Sequence, residues 1–137
     1  VVPLPEKGSR IISPALKNTS FLKIFLTRNR DELYERINLR VEIMIKNGLV
    51  EEAKKVYNKY RENLYKISSI GYKELFLYFE NKISFDEAVE LIKKESRNYA
   101  KRQLTWFRKE KDYIIYNFSE MSESKIIEDI LKRWKNF

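Results

Sequence analysis

"SFDEAVELIKKESRNYAKRQLTWFR", Ser84 to Arg108, is the stretch that decides the fold. It opens with S-x-x-E, Ser84 and Glu87, the pattern in which a serine side chain and a glutamate three residues on each take a backbone N–H of a helix start. At 100° per residue, Phe85, Ala88, Val89, Ile92, Ser96, Tyr99 and Phe107 share one face, which predicts the side turned to the core. Lys94, Arg97, Lys101 and Arg108 share the opposite face, with Thr105 among them. From Lys93 to Lys111 there are eight basic and two acidic residues. This net +6 is most of the chain's +8. So one-sided a charge suits a phosphate backbone; a merely solvated helix face is the plainer alternative. Gln103 falls in the middle of the apolar face. A buried amide needs partners, so Gln103 either ties the helix to a neighbouring backbone or faces a pocket where a base edge can use its donor and acceptor.

Working outward, "FLKIFLT" (Phe21–Thr27) and "YIIYNF" (Tyr113–Phe118) are short apolar runs without a helical stripe and predict buried strands. Asn29 and Glu32 resemble a capping pair for a helix running to Asn47, with Leu33, Ile37, Val41, Met44 and Ile45 on its apolar side. Asn47-Gly48 supplies a left-handed stop. "LVEEAKKVYNKY" is a second, shorter helix, a third begins near Gly71, and "ESKIIEDILKRWKN" closes the chain as an amphipathic helix. All three prolines lie in the first fourteen residues, so residues 1–20 read as an irregular arm or a remnant of an added sequence. Residues 21–137 are the folded part.

Composition narrows the chemistry. There is no cysteine and no histidine among the 137 residues. Disulfides, thiolate metal sites, histidine-ligated zinc and a serine–histidine hydrolase are therefore excluded within this chain. No apolar run is long enough to span a bilayer and no leader pattern is visible, so the expectation is a cytoplasmic protein with an anionic partner and no membrane. "SSIGYK" adds a second polar and aromatic cluster. Gly71 permits close backbone approach, Tyr72 offers a ring and Lys73 a charge, the combination that reads splayed nucleotides. The plain alternative puts Tyr72 in the core.

Three stretches, "KIFLTRNR", "LYERINLRVEIMIKNGLVEEA" and "IGYKELFLYFENKISFDEAVELIKKESRNYAKRQLTWFR", together resemble the C-terminal part of the bacterial tRNA isopentenyltransferase (tRNA dimethylallyltransferase) family. The likeness covers Phe21 to Phe118, and R-x-Y-A-K-R-Q-x-T-W-F-R with G-Y-K-E is its most specific part. It implies an α/β fold. Several amphipathic helices would accompany two short strands that join the parallel sheet of a P-loop-type transferase core. It implies a prenyltransferase that moves a dimethylallyl group from dimethylallyl diphosphate to the exocyclic amine of the adenosine 3′ of the tRNA anticodon. By the same likeness, Ser68, Ser69, Ile70, Gly71, Tyr72 and Lys73 form one tRNA-contact segment. Lys101, Arg102, Gln103, Leu104, Thr105, Trp106, Phe107 and Arg108 form another. Arg36 and Arg40, one helical turn apart, face the diphosphate channel, with Arg40 favoured; a planar guanidinium suits a diphosphate. Pairing of both with Glu32 or Glu35 is the alternative.

The departures are as informative. Glycines stand only at 8, 48 and 71, so the G-x-x-x-x-G-K-[ST] phosphate loop of the family cannot lie in this chain. None of Asp31, Asp86, Asp112 or Asp129 has the Asp-Ser-x-Gln setting of the family's general base. No catalytic residue and no metal ligand is therefore expected here. Magnesium would be held elsewhere in the whole enzyme, the phosphate-binding half is missing, and self-association of the segment is expected. The competing readings are a non-catalytic helical RNA-binding module and a purely structural helical domain.

Overall fold

A computed structural model describes residues 20–110 and 112–137. The expected arm thus lies outside the described residues, apart from Ser20. Strand β1 (Ile24–Thr27) leads into α1 (Arg30–Lys46) and α2 (Leu49–Lys59). A 3-10 segment follows (Arg61–Lys66), then α3 (Tyr72–Phe79), α4 (Phe85–Phe107), β2 (Ile114–Asn117) and α5 (Glu123–Lys135). β1 is the C-terminal part of Phe21–Thr27 and β2 the middle of Tyr113–Phe118; contrary to the expectation of buried strands, only Tyr116 in them is buried, because the two-stranded sheet is covered by few neighbours. They pair in parallel, Ile24 opposite Ile114 and Thr27 opposite Asn117. Parallel neighbours need a long crossover, and the helices α1 to α4 supply it.

Local chemistry sets the corners. Gly48 adopts φ 103 and ψ 19, a left-handed conformation costly for any residue with a Cβ. It ends α1 and begins α2 with no loop between. At the head of α3, Gly71 has φ 101, and its N–H donates to Glu74 Oε2 at 2.7 Å. At the head of α4, Glu87 N–H donates to Ser84 Oγ at 3.1 Å and Ser84 N–H to Glu87 Oε2 at 2.7 Å, the reciprocal box that the sequence predicts.

The structure departs from the sequence reading at two places. Asn29 precedes α1 but makes no side-chain cap; its Oδ1 accepts instead from Asn117 Nδ2 at 2.8 Å. Glu32 is drawn off too, taking Arg28 Nη1 at 2.5 Å and the Ser119 hydroxyl. Bonds to the end of β2, distant in sequence, win over the local cap. The second difference is the 3-10 segment, which has a non-helical residue at Asn63 and no buried residue.

Val41, Leu49, Ala53, Leu75, Ala88 and Ile92 form the helical core, with Met44, Ile45, Tyr78 and Phe79 packed around it. A smaller layer joins sheet and helices. Phe107 of α4 stacks on Phe25 of β1 at 4.9 Å between ring centroids. On the other side, Tyr116 of β2 and Ile126 of α5 are buried, and the Tyr116 hydroxyl donates to Asp129 of α5. Among the described residues no helix is long and apolar enough to cross a membrane.

Candidate nucleic-acid interface

At 1.5 Å per residue, the 23 residues of α4 span about 35 Å. The helical core uses only the first half, through Ala88 and Ile92. Beyond it the helix emerges with Lys101, Arg102, Gln103, Thr105, Trp106 and Arg108 exposed and Leu104 and Phe107 half-buried. Asn98, Lys101, Arg102, Thr105, Trp106 and Lys109 line an open groove of about 480 Å3. Thr105 does not project its hydroxyl freely; it donates to the Lys101 carbonyl at 2.9 Å. Trp106 is 57% exposed and meets Phe107 edge-on at 4.8 Å, and Arg102 lies 5.8 Å from the Tyr99 ring. Among the described residues, Lys94, Lys101, Arg102, Arg108 and Lys109 have no ion pair. Three cations beside an open indole give the groove charge for phosphates and a ring for a base.

One member of the expected stripe leaves it. Arg97 is half-buried and donates to Asn38 Oδ1 of α1 at 2.5 Å. Lys93 likewise turns to acids, Glu42 at 2.9 Å and Glu90 at 3.1 Å. Those hydrogen bonds, Glu42's first, hold its ammonium above the ordinary value. These two cations fasten α4 to its surroundings, while the free ones are concentrated at its far end.

Gln103 is the main correction: it is exposed, not buried. The helical wheel gives its direction correctly. Gln103 shares a cleft of about 310 Å3 with Phe25, Leu33, Leu104, Phe107 and Arg28, among others. No described element closes the cleft over it, so the amide keeps access to water. The cleft lies by the carboxyl ends of β1 and β2, where open α/β sheets place their ligands. A polar knot guards that end. Arg28 lies 5.0 Å from the Phe118 ring and holds Glu32; Ser119's hydroxyl, then Arg28, keep the Glu32 carboxyl below its ordinary range.

The segment Ser68–Lys73 is divided. Ser68, Ser69 and Lys73 are exposed, Ile70 is half-buried, and Gly71 is buried. Tyr72 is tied down: its hydroxyl donates to Glu52, raising its pKa, and its ring stacks on Phe76 at 6.2 Å. It follows the core alternative and is not a free stacking ring. Arg36 and Arg40 are exposed on α1 and have no ion pair among the described residues, so neither is neutralised by Glu35. Neither lines the cleft that holds Gln103. Sequence reasoning passed over Asn98, Lys109 and Arg28 as site residues. Lys109, just past the end of α4, was the one with a signal, since it continues the basic run.

A helical unit leaning on a strip of parallel sheet, with a cleft at the strand ends and a cationic groove beside it, defines part of an α/β fold. The chain belongs to the IPP transferase family, whose model matches residues 5–110. It is 48% identical over 127 residues to a tRNA dimethylallyltransferase of Fusobacterium nucleatum, covering 91% of this chain and 42% of that protein. A tRNA dimethylallyltransferase of Thermosipho africanus is 51% identical over 127 residues, again 42% of its length. The full-length tRNA isopentenylpyrophosphate transferase of Bacillus halodurans superposes with a TM-score of 0.78 at 38% identity, over 84% of this chain and 38% of that one. The chain therefore spans about two fifths of these relatives.

Proposed function

We propose that residues 21–137 are the C-terminal part of a tRNA dimethylallyltransferase and supply tRNA contacts and one wall of its substrate channel. The reaction would join the dimethylallyl carbon to the exocyclic amine of the adenosine 3′ of the anticodon and release diphosphate. The observation that carries this reading is the α4 groove, with Lys101, Arg102 and Lys109 around Trp106. Its unpaired cations support phosphate binding, and the family membership supports tRNA as the source of those phosphates. Ser68 to Lys73 would form a second tRNA-facing segment through exposed Ser68, Ser69 and Lys73. Gln103, at the mouth of the apolar cleft, would meet the nucleotide or the prenyl group there. Arg40, with Arg36, would meet the diphosphate. The phosphate loop, the general base and the residues that hold magnesium would come from sequence outside these 137 residues, in a cytoplasmic setting.

A transfer assay tests this reading. Purified protein would be incubated with tRNA and labelled dimethylallyl diphosphate, and the product nucleoside mapped by mass spectrometry. The chain alone is expected to transfer nothing. Joined behind the preceding part of the Fusobacterium nucleatum relative, it is expected to modify the adenosine 3′ of the anticodon. Transfer by the 137 residues alone, or modification at another nucleotide, would overturn the reading.

A further inference from the structure

Away from the α4 groove, residues 54 to 66 bring together four lysines, one arginine and three tyrosines with one acid, Glu62. Tyr57 is the fixed point. It is buried, and its ring packs on Phe76 at 5.6 Å and Phe79 at 5.5 Å. Lys54 Nζ lies 5.3 Å from the Tyr57 ring and 4.5 Å from that of Phe79. The Arg61 guanidinium lies 5.3 Å from the Tyr57 ring. Two cations are thus seated on one ring rather than on carboxylates. The 3-10 segment that follows buries nothing, yet large rings stand on it and at its start. Tyr65 is 79% exposed and Tyr60 44%. Each has a lysine ammonium near its ring, Lys66 at 5.5 Å and Lys59 at 5.2 Å.

A segment with no share in the core has no packing reason to hold open aromatic rings. Rings with cations beside them match an unstacked base flanked by its phosphates. A protein partner fits less well, because lysine is depleted from protein–protein interfaces. We propose that Lys54–Lys66 is a second RNA-binding surface. It stacks bases of a loop or single-stranded RNA segment on Tyr60 and Tyr65 and pairs Lys54, Lys59, Arg61 and Lys66 with phosphates. This rests on the reading of the chain as tRNA-binding and extends it along the sequence from Ser68 back to Lys54.

The test uses fluorescence anisotropy of the 137-residue chain with a labelled anticodon stem-loop RNA over a salt series. Four variants are compared: Tyr60→Ala/Tyr65→Ala, Tyr60→Phe/Tyr65→Phe, Lys59→Gln/Arg61→Gln/Lys66→Gln, and Lys101→Gln/Arg102→Gln/Lys109→Gln. Circular dichroism checks that each is folded. The tyrosine variant is expected to bind about tenfold more weakly with an unchanged salt slope, and Tyr60→Phe/Tyr65→Phe to bind like the parent. The lysine–arginine variant is expected to flatten the slope of log affinity against log salt by about 0.7 to 0.9 for each phosphate it no longer neutralises. If both bind RNA like the parent while the α4 variant is weakened, the second surface is wrong and the α4 groove stands. If only the α4 variant binds like the parent, the groove falls and the second surface stands. RNA binding unchanged in both, with weakened binding to phosphatidylserine vesicles, would assign the surface to a membrane and overturn the proposal.

Discussion

Gln103 shows what a single residue can and cannot disclose. Its place on the apolar face was legible from spacing; its exposure was not, because burial depends on what stands opposite. An amide in an open cleft keeps its water, so Gln103→Leu is expected to change stability by less than about 0.5 kcal/mol in urea unfolding; a loss of about 1–3 kcal/mol would instead mean a tied, structural amide. Glu74 is the reverse case. It is 1% exposed, its Oε2 accepts the Gly71 N–H, and Oε1 makes no hydrogen bond but lies 3.5 Å from the Lys73 ammonium. Glu74→Ala leaves a buried donor unpaired and is expected to cost about 1–3 kcal/mol, while Glu74→Gln keeps an acceptor for Gly71 and costs less. Equal losses in the two variants would contradict that role. Glu32 and Asp129 give the pH dependence. Ser119 and Arg28 lower the one; Arg133, then Tyr116, lower the other. Carboxyls depressed in the fold stabilise it fully above their ordinary values of 4.5 and 3.8 and cease to as pH falls through the lower folded values. Thermal unfolding is therefore expected to shift down on acidification, and Ser119→Ala to reduce that dependence.

At the scale of elements, patterns closed within one turn of sequence were readable and patterns needing a distant partner were not. The α4 start belongs to the first kind, since Ser84 and Glu87 satisfy each other; Ser84→Ala is expected to cost about 1 kcal/mol in chemical denaturation, and no loss would discount the box. The α1 start belongs to the second: Asn29 and Glu32 have the spacing of a cap, but β2 and the turn after it claim both through Asn117 and Ser119. Arg97 follows the same rule. Its place on the polar face was clear, yet Asn38 of α1 decides its use. The 3-10 segment escaped notice because a run with no buried residue leaves no hydrophobic period to read.

For the whole molecule, the family resemblance placed the two apolar runs in a parallel sheet, and the structure pairs them in parallel with each other. A two-stranded sheet has open edges. Ile115 is 62% exposed and Leu26 50%, and on α5 Ile127, Leu131 and Trp134 also face outward. The isolated chain is therefore expected to bind a hydrophobic dye and to self-associate in sedimentation at high concentration; a monomer that binds no dye would contradict this. The cationic end of α4 lies away from the helical core, which leaves it available to a large polyanion. That its cations hold tRNA phosphates is tested most directly by the salt dependence of tRNA binding, with Lys101, Arg102, Arg108 and Lys109 replaced together by glutamine. Weaker binding is predicted, with the slope of log affinity against log salt flattened by up to about 0.9 for each duplex phosphate left without its cation; a slope unchanged by the four substitutions would contradict it.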